Sequence, residues 1–412
     1  MKILHTSDWH LGRTLYGKKR YAEFQSFLDW MLQTIEQQKP DILLIAGDIF
    51  DTTTPSNKTQ ELYYQFLCKV SVNTNCRHIV IIGGNHDSPT LLNAPGTILK
   101  QLKIHVIGSI TDPIDDELLV LNDIDDDSII ALICAVPYLR DSDLRSVEDN
   151  ESGKDKSQKL VDGIKQHYAQ LCDLAVKKRE QLGANIPIIG LGHLFASGGK
   201  TGDGVRELYV GTLAHFNAAE FPASIDYLAL GHLHIPQIVN HQEHIRYSGS
   251  PLAMGFGEVN QQKVILCIEF DNQYITQISS IAVPKFQELA RISGNIEELI
   301  AQLATLIARQ TSIWVEASYT GNEIITNLHQ QLQDTVRNSK VELIKVYNRQ
   351  LINQILINDN QSATIELSDL TPSQVFDKCL QINEIPLEQQ QVLKDCYQQI
   401  ISELSETELR AE

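Results

Sequence analysis

Short apolar runs recur along the first 280 residues of the chain, and their lengths suit buried strands. The runs are rich in Ile, Leu and Val and are apolar on both faces, which is typical of strands enclosed between layers of helices. They occupy residues 3–4, 42–45, 79–82, 129–136, 186–191 and 227–230. Helix-like patterns lie between them, such as residues 21–37 and 159–182. We therefore predict an α/β fold for a first domain that spans residues 1–283.

The pattern changes after Pro284 and predicts a second, smaller domain. Helical and strand-like segments alternate there, in the order 295–308, 312–319, 322–336 and 340–347. The first and third of these segments show the period of a helix, whereas the other two are strand-like. We therefore expect residues 284–348 to form a small α+β domain.

A polar stretch at residues 349–364 predicts a linker, and residues 365–412 predict a pair of helices. Thr371 suits the capping position of the first helix, Pro372 suits its first turn, and a Gln follows three residues after the cap. Pro386 restarts a second helix that carries one apolar stripe. Such a pair either packs on its own domain or docks on another chain, and the pattern favours neither alternative.

The charge balance limits how the chain could bind nucleic acid. The chain has 34 basic and 52 acidic residues, a net charge of -18. A protein that binds nucleic acid unaided normally carries a basic surface, so bound cations, a local basic patch or a partner would have to supply the attraction. Residues 112–127 hold eight of the acids and no Lys or Arg, and we expect a solvated loop there.

Apolar run lengths and cysteine usage bear on the compartment. No apolar run reaches the roughly 18 residues of a membrane span, and the first residues lack the apolar stretch of a signal peptide. The seven cysteines form no Cys-x-x-Cys pair, which favours reduced thiols over disulfides or a thiolate zinc site. We therefore expect a cytoplasmic protein that does not associate with a membrane.

Polar side chains follow five of the predicted strands at the point where each strand ends. In chain order they are Asp8 and His10, Asp48 and Asp51, Asn85, His86 and Asp87, His193, and His232 and His234. In open α/β sheets, ligands bind outside the carboxyl ends of the strands. Each motif alone is more often a cap, a turn or a structural histidine. Their shared position at strand ends predicts one polar rim.

The residue types at this rim suit divalent metal ions. Carboxylates, an amide oxygen and imidazoles without sulfur are ligands for Mn²⁺, Fe or Zn²⁺. Two ions fit better than one, because the candidate ligands are Asp8, His10, Asp48, Asn85, His193, His232 and His234. Two divalent ions about 3.5–4 Å apart can activate a water and stabilise an in-line displacement at phosphorus.

The same motifs resemble the signature of the calcineurin-like metallophosphoesterases. They are Asp8-x-His10, Gly47-Asp48-x-x-Asp51, Gly84-Asn85-His86-Asp87, His193 and Gly231-His232-x-His234. Residues 3–12, the Tyr247-Ser248-Gly249-Ser250-Pro251 motif and the terminal helix pair are more narrowly similar to the nuclease subunits of bacterial SbcCD-type complexes. This resemblance implies a core of two layered β-sheets flanked by helices. It also implies that residues 284–348 cap the core and recognise DNA, and that residues 365–412 form a helix-loop-helix.

The resemblance assigns a role to each residue of the rim. One ion would be held by Asp8, His10, Asp48 and His234. The other would be held by Asp48, Asn85, His193 and His232, so that Asp48 bridges the two. His86 would contact the scissile phosphate and assist the leaving oxygen. Asp51 and Asp87 would orient His86 or the ligand histidines, although Asp51 suits a turn equally well.

The resemblance also implies a Mn²⁺-dependent DNA nuclease that acts in DNA repair, recombination and replication. The implied activities are ATP-dependent 3′–5′ cutting of double-strand ends, ATP-independent endonuclease cutting of single strands, and hairpin opening. The implied partner is an SbcC-like coiled-coil ATPase bound by residues 365–412. Two copies of each subunit would form a heterotetramer that associates with the nucleoid. The ATPase would supply the DNA-binding surface that a net charge of -18 lacks.

Two other functions are compatible with the same residues. A small-molecule phosphodiesterase or a protein phosphatase can use the same dimetal site, because the metals contact only phosphate. A non-catalytic assembly subunit is the third hypothesis, and the complete ligand set argues against it. The residues beyond the core and the terminal helix pair favour a nuclease within a complex.

Overall fold

The computed structural model of the chain divides into two units, Met1–Phe286 and Gln287–Glu412. The structure describes residues 1–123, 126–144, 153–183, 185–197, 216–321, 325, 327–348, 376, 380, 390, 393, 394 and 397. Each unit has its own hydrophobic core.

The described part of the first unit contains strands β1 to β14 and helices α1 to α6. The strands are β1 (Lys2–Thr6), β2 (Ile42–Ala46), β3 (His78–Ile82), β4 (Ile104–Ile107), β5 (Leu118–Asn122), β6 (Ile129–Ala135), β7 (Ile188–His193), β8 (Ala196–Ser197), β9 (Phe216–Asn217), β10 (Tyr227–Gly231), β11 (Gln237–Val239), β12 (Gln242–Tyr247), β13 (Val264–Asp271) and β14 (Tyr274–Ala282). The helices are α1 (Tyr21–Gln38), α2 (Asn57–Asn73), α3 (Pro89–Asn93), α4 (Gly96–Gln101), α5 (Asp141–Leu144) and α6 (Gly153–Leu182). Short 3₁₀ turns occupy Ile114–Glu117, Ala218–Glu220 and Phe256–Glu258.

Twelve of these strands form two six-stranded sheets. The first sheet has the order β14-β13-β1-β2-β3-β4, with β1 to β4 parallel to one another and β13 antiparallel to both β1 and β14. The second sheet has the order β11-β12-β10-β7-β6-β5, with β6, β7, β10 and β12 parallel. Strands β8 and β9 pair separately.

The two sheets pack face to face, and helices cover their outer faces. Leu4 and Leu43 lie in a core with Phe24, Phe27 and other residues of α1 and α2. The alternate residues of the same strands, such as Ile3 and Leu44, pack instead on strands of the second sheet. Helix α6 covers the outer face of that second sheet. The parallel strands are therefore buried on both faces, which confirms the predicted fold class of layered sheets flanked by helices.

Several strands of the first unit are not marked by a continuous apolar run in the sequence. Strand β14 is largely exposed along its length and lies at the edge of the first sheet. Strands β4, β5, β11 and β12 are short or only partly buried. Their apolar residues therefore do not form the continuous runs that mark the central strands.

In its described residues, the second unit contains three parallel strands that alternate with two helices. They are β15 (Glu288–Gly294), α7 (Ile296–Ala308), β16 (Ile313–Tyr319), α8 (Leu328–Val336) and β17 (Val341–Asn348). Strand β16 is central. The sequence pattern did not indicate β15, and it placed the start of the second helix earlier than Leu328. Helix α7 begins with a capping box in which Asn295 and Glu298 exchange side-chain to backbone hydrogen bonds.

The predicted linker at 349–364 and most of the predicted helix pair at 365–412 lie outside the described residues. Phe376 is described in helical conformation, and the ring of Tyr397 is described as well. The two rings stack with centroids 4.1 Å apart, so one residue of each predicted helix contacts the other.

Among the helices that the structure describes, none combines the length and apolar character needed to span a membrane.

In the acidic stretch at residues 112–127, Glu117 is buried, and its Oε2 lies 2.7 Å from Nε2 of His167 on α6. The expectation of a solvated loop at 112–127 is therefore wrong at Glu117, which pairs with a histidine of another element, and at β5, which is a strand of the second sheet.

Candidate metal centre

All seven predicted metal ligands lie on loops or strand ends at one rim of the paired sheets. Strands β1, β2 and β3 are adjacent and parallel, and so are β7 and β10, so the carboxyl ends of each group lie side by side. The side chains that follow these ends approach one another across the two sheets. All but Asn85 are buried.

The backbone is strained at four of these residues. Asp8, His10, Asp48 and His232 have positive φ values of 53°, 46°, 50° and 103°. Such conformations are uncommon for residues other than glycine and concentrate at functional sites. Hydrogen bonds between loops hold two of them, since Asp8 N donates to Gly47 O and His10 N donates to Asp48 O, both at 3.0 Å. The loop after β1 is therefore fixed by the neighbouring strand end.

The loops approach one another more closely than side chains would permit. A Cβ atom added at Gly231 would lie 1.8 Å from the carbonyl oxygen of Ala46. One added at Gly84 would lie 2.2 Å from Oδ1 of Asp48. Both positions require glycine because backbone or a ligand carboxylate fills the space.

One group of ligand atoms comes from Asp8, His10 and His234. Their candidate ligand atoms all lie within 4.8 Å of one another. Nε2 of His10 is 3.2 Å from Nε2 of His234, so these two ring nitrogens point into the same space. The Asp8 carboxylate is held in place, because its Oδ1 accepts a hydrogen bond of 2.9 Å from the backbone N–H of His232.

A second group comes from Asn85, His193 and His232. Oδ1 of Asn85 lies 3.0 Å from Nε2 of His193 and 3.1 Å from Nδ1 of His232. Nδ1 of His193 donates to the carbonyl oxygen of Ala46 at 2.9 Å. That bond fixes the ring and directs Nε2 into the site.

Asp48 lies between the two groups. Its Oδ2 is 3.6 Å from Nε2 of His10 and 3.3 Å from Nε2 of His193. Its Oδ1 accepts a hydrogen bond of 2.9 Å from the backbone N–H of His86. A carboxylate in this position can contact an ion on either side.

His86 is less buried than the candidate ligands around it except Asn85. Its Nδ1 donates to the carbonyl oxygen of Asp51 at 2.8 Å, which leaves Nε2 for other partners. Its ring is nearly perpendicular to that of His10, with centroids 4.8 Å apart. Its ligand atom also groups with those of His10 and Asp48, so His86 lies directly beside the candidate ligands.

Asp51 and Asp87 make different contacts. Oδ1 of Asp51 lies 3.2 Å from Nδ1 of His10 and accepts a hydrogen bond of 3.0 Å from Arg13. The carboxylate of Asp87 instead accepts hydrogen bonds from the backbone N–H groups of Ile49, Phe50 and Gly84. Asp51 therefore faces the candidate ligand His10, whereas Asp87 joins the loops after β2 and β3.

Two residues of the rim escaped the sequence reasoning. Tyr138 and Arg140 follow the end of β6, which is parallel to its neighbour β7 in the second sheet. The Tyr138 ring meets the His193 ring edge to face, with centroids 6.3 Å apart. Arg140 donates to the carbonyl oxygen of Asp87 at 3.4 Å. The strand-end rule applied to the 129–136 run would have indicated both.

The protonation states of the site follow from burial and from neighbouring charges. Burial would raise the pKa of Asp48, but His193 and His10 outweigh it and hold that pKa well below its usual value. Burial would lower the pKa of His193, but the Asp48 carboxylate raises it to about 9. Burial lowers the pKa of His232 to about 3 and also lowers that of His10. Neutral His10 and His232 suit metal ligation as they stand, whereas His193 has to lose a proton before it can bind a metal.

Comparison with known proteins places the chain in a family. Residues 1–236 match the calcineurin-like phosphoesterase family, and residues 285–384 match the type 5 capsule protein repressor C-terminal domain. The SbcD component of nuclease SbcCD from Escherichia coli (strain K12) is 34% identical over 403 residues, which cover 96% of this chain and 97% of that protein. The chain belongs to the SbcD family.

Other members of the SbcD family are similar over about two thirds of the chain. The SbcD protein of Bacillus subtilis (strain 168) is 32% identical over 65% of this chain and 66% of that protein. That of Rhodobacter capsulatus is 33% identical over 63% of this chain and 64% of that protein. The predicted family is therefore confirmed, and so is the prediction of a phosphoesterase that uses divalent metal ions.

We expect Asp48→Asn to abolish the binding of two ions, because an amide offers only one ligand oxygen between the two groups. Mn²⁺ binding to metal-free protein would be measured by calorimetry. Mn²⁺ at about 100 times its Kd should add about 2.7 kcal/mol per bound ion to the free energy of unfolding of the unchanged protein, and far less to that of the variant. Glu117→Gln, which alters a buried carboxylate on another element, is the control. Two tightly bound ions in Asp48→Asn would contradict the bridging position.

We expect metal binding to release a proton from His193. The raised pKa of about 9 means that the metal-free ring is protonated at a pH of about 7.5, whereas a metal ligand must be neutral. Apparent Mn²⁺ affinity should therefore rise with pH until the pH passes the pKa of about 9. Calorimetry near neutral pH in buffers of different ionisation enthalpy counts the protons released. A count of zero would contradict a protonated His193.

Proposed function

We propose that this chain is the DNA-cutting subunit of an SbcCD-type complex and hydrolyses phosphodiester bonds at a dimetal centre. The observation that carries the proposal is the convergence of seven oxygen and nitrogen ligands at one buried rim. The similarity to the SbcD component of nuclease SbcCD over 96% of the chain supports DNA as the substrate.

The proposed ions are two Mn²⁺. Asp8, His10, Asp48 and His234 would hold one of them, and Asp48, Asn85, His193 and His232 would hold the other. Bound there, the ions would supply an activated water and positive charge for the oxygens of the scissile phosphate. The donor set fits, because it combines carboxylate, amide and imidazole groups without sulfur.

The proposed role of His86 is to protonate the leaving oxygen. The Asp51 carbonyl holds its Nδ1–H, so Nε2 is the nitrogen that can carry the transferable proton. The partial exposure of His86 leaves room for a substrate beside it. Asp51 also lies beside His10, so one residue would orient both a ligand and the acid.

Cations at the rim would bind the backbone of the substrate. Arg13 and Arg140 are partly exposed beside Asp51 and Asp87, and Lys19 is exposed on the loop that follows β1. Phosphate contacts by such residues position a strand without reading its sequence. These basic residues are few for a chain with a net charge of -18. Their small number supports the proposal that a partner supplies most of the DNA affinity.

The proposed assembly contains an SbcC-like ATPase that binds residues 365–412, with two copies of each subunit. Residues 1–283 would form the nuclease domain, residues 284–348 the capping domain, and residues 349–364 the linker. The family supports ATP-dependent 3′–5′ exonuclease activity, ATP-independent single-strand endonuclease activity and hairpin opening, in the cytoplasm at the nucleoid. A small-molecule phosphodiesterase or protein phosphatase is the alternative, because ions bound at the site would contact only the phosphate of a substrate.

We expect His86→Ala to lower kcat for Mn²⁺-dependent cutting of a labelled single-stranded or hairpin oligonucleotide by about 10²–10⁴-fold. Hydrolysis of bis-p-nitrophenyl phosphate should fall much less, because its leaving group needs no proton. Mn²⁺ binding by the variant is the control. Unchanged oligonucleotide cutting would remove His86 from the mechanism.

The same assay separates the nuclease from the alternative. Hydrolysis of the small ester with the oligonucleotide left intact would call for a repeat with the ATPase subunit and ATP. DNA cutting in that mixture would support a nuclease that needs its partner to present DNA. Intact DNA in that mixture would favour the small-molecule phosphodiesterase.

We expect deletion of residues 365–412 to separate the nuclease from its partner. The truncated chain should still hydrolyse bis-p-nitrophenyl phosphate, because the rim lies wholly in the first unit. It should not co-purify with the ATPase subunit, whereas the full chain should. Co-purification of the truncated chain would contradict the assigned docking segment.

A further inference from the structure

A buried carboxylate lies beside the metal ligand His234. Glu258, at the end of the 3₁₀ turn Phe256–Glu258, is 1% exposed. Its Oε1 is 3.5 Å from Nδ1 of His234. Both atoms are buried, and neither has a hydrogen-bond partner among the described residues. Leaving two such groups unpaired is costly, so their mutual approach is significant.

Lys263 fixes the other oxygen of Glu258. The Lys263 ammonium is itself buried and donates to Oε2 of Glu258 at 2.6 Å. It also donates to the carbonyl oxygen of His234 and to Oγ of Ser250, both at 3.0 Å. The backbone N–H of Met254 donates to the same Oε2 at 2.9 Å. Oε2 is therefore fully engaged, and Oε1 is left facing the histidine.

His10, like His234, has a carboxylate oxygen close to its Nδ1 atom. There, Oδ1 of Asp51 lies 3.2 Å from the Nδ1 atom of His10. The Nε2 atoms of His10 and His234 lie 3.2 Å apart in the site. Each histidine of this pair thus has a carboxylate behind Nδ1 and the proposed ion in front of Nε2.

We propose that Glu258, anchored by Lys263, is a positioning residue that holds His234 in its metal-binding tautomer. An ionised carboxylate only accepts hydrogen bonds, so it places the single proton of a neutral imidazole on Nδ1. Nε2 then keeps the lone pair that a metal requires. The inference rests on the proposed dimetal function.

Glu258→Gln tests the tautomer directly. Lys263 and Met254 both donate at the Oε2 position, so the carbonyl oxygen of Gln would occupy it. The amide NH₂ would then face Nδ1 of His234 and favour the tautomer that is protonated on Nε2. The fold should tolerate this variant, because the bonds to Lys263 and Met254 are kept.

The double variant Glu258→Met with Lys263→Met is the comparison. It removes the buried ion pair as a whole, which proteins often tolerate when apolar groups of similar volume replace it. His234 is then free to choose either tautomer. The double variant should therefore bind metal better than Glu258→Gln, although it keeps fewer of the native contacts.

Mn²⁺ binding to metal-free protein would be followed by calorimetry and by electron paramagnetic resonance, without any substrate. We expect Glu258→Gln to weaken one of two ions by about 10–100-fold, so that the coupled two-ion spectrum gives way to that of one ion. The double variant should lose less affinity than Glu258→Gln. Glu117→Gln, a buried carboxylate paired with His167, should bind both ions as the unchanged protein does.

Three results would overturn the inference, and they differ in what else they affect. Unchanged two-ion binding in Glu258→Gln would remove the positioning role and leave the proposed function intact. The positioning role would also be removed if metal affinity fell in the same order as the melting temperature across the variants. That order would indicate that Glu258 and Lys263 only stabilise the fold. Failure of the unchanged protein to bind two ions would instead overturn the dimetal centre and the proposed function together.

Discussion

The burial of the Asp48 carboxylate between two histidines is the constraint on which the rest of the site depends. A charged group removed from water is stable only when opposite charges and hydrogen bonds surround it. His193 and His10 lie on either side of Asp48, and the backbone N–H of His86 donates to its other oxygen. These contacts keep Asp48 ionised, which its proposed position between two ions requires. The loops of the rim converge on this one carboxylate.

The layered sheets make this approach possible. Strands that are buried on both faces are rigid, and their parallel ends deliver side chains from both sheets to the same edge. Left-handed backbone conformations at residues such as Asp8 and Asp48 bring the loops of the rim closer together, and glycines allow backbone atoms of neighbouring loops to come into contact. Asp87 then fastens the loops after β2 and β3 through three backbone N–H groups. The stability of the sheets thus compensates for the backbone strain at the left-handed residues of the rim.

The sequence predicts the central strands and the ligands because both follow from simple patterns. Apolar runs mark strands buried on both faces, and the polar residue after each run lies at the rim. The sequence does not reveal how Asp87 and Glu258 act, because their partners are backbone groups or residues far along the chain. Asp87 binds two backbone groups 38 and 37 positions earlier, and Glu258 faces His234, from which β11 and β12 separate it along the chain. Such contacts depend on tertiary geometry rather than on any local period.

The charge of the whole chain and the charge of the rim have to be considered together. A net charge of -18 opposes the approach of DNA, whereas the rim concentrates ligands whose divalent ions would create a local positive field. The carboxylates behind Nδ1 of His10 and His234 would strengthen these histidines as ligands, but they also add negative charge at the rim. The site is therefore suited to hold ions tightly and a polyanion weakly. Bound ions, a local basic patch or a partner would then have to supply the attraction for DNA, and a partner fits a member of the SbcD family.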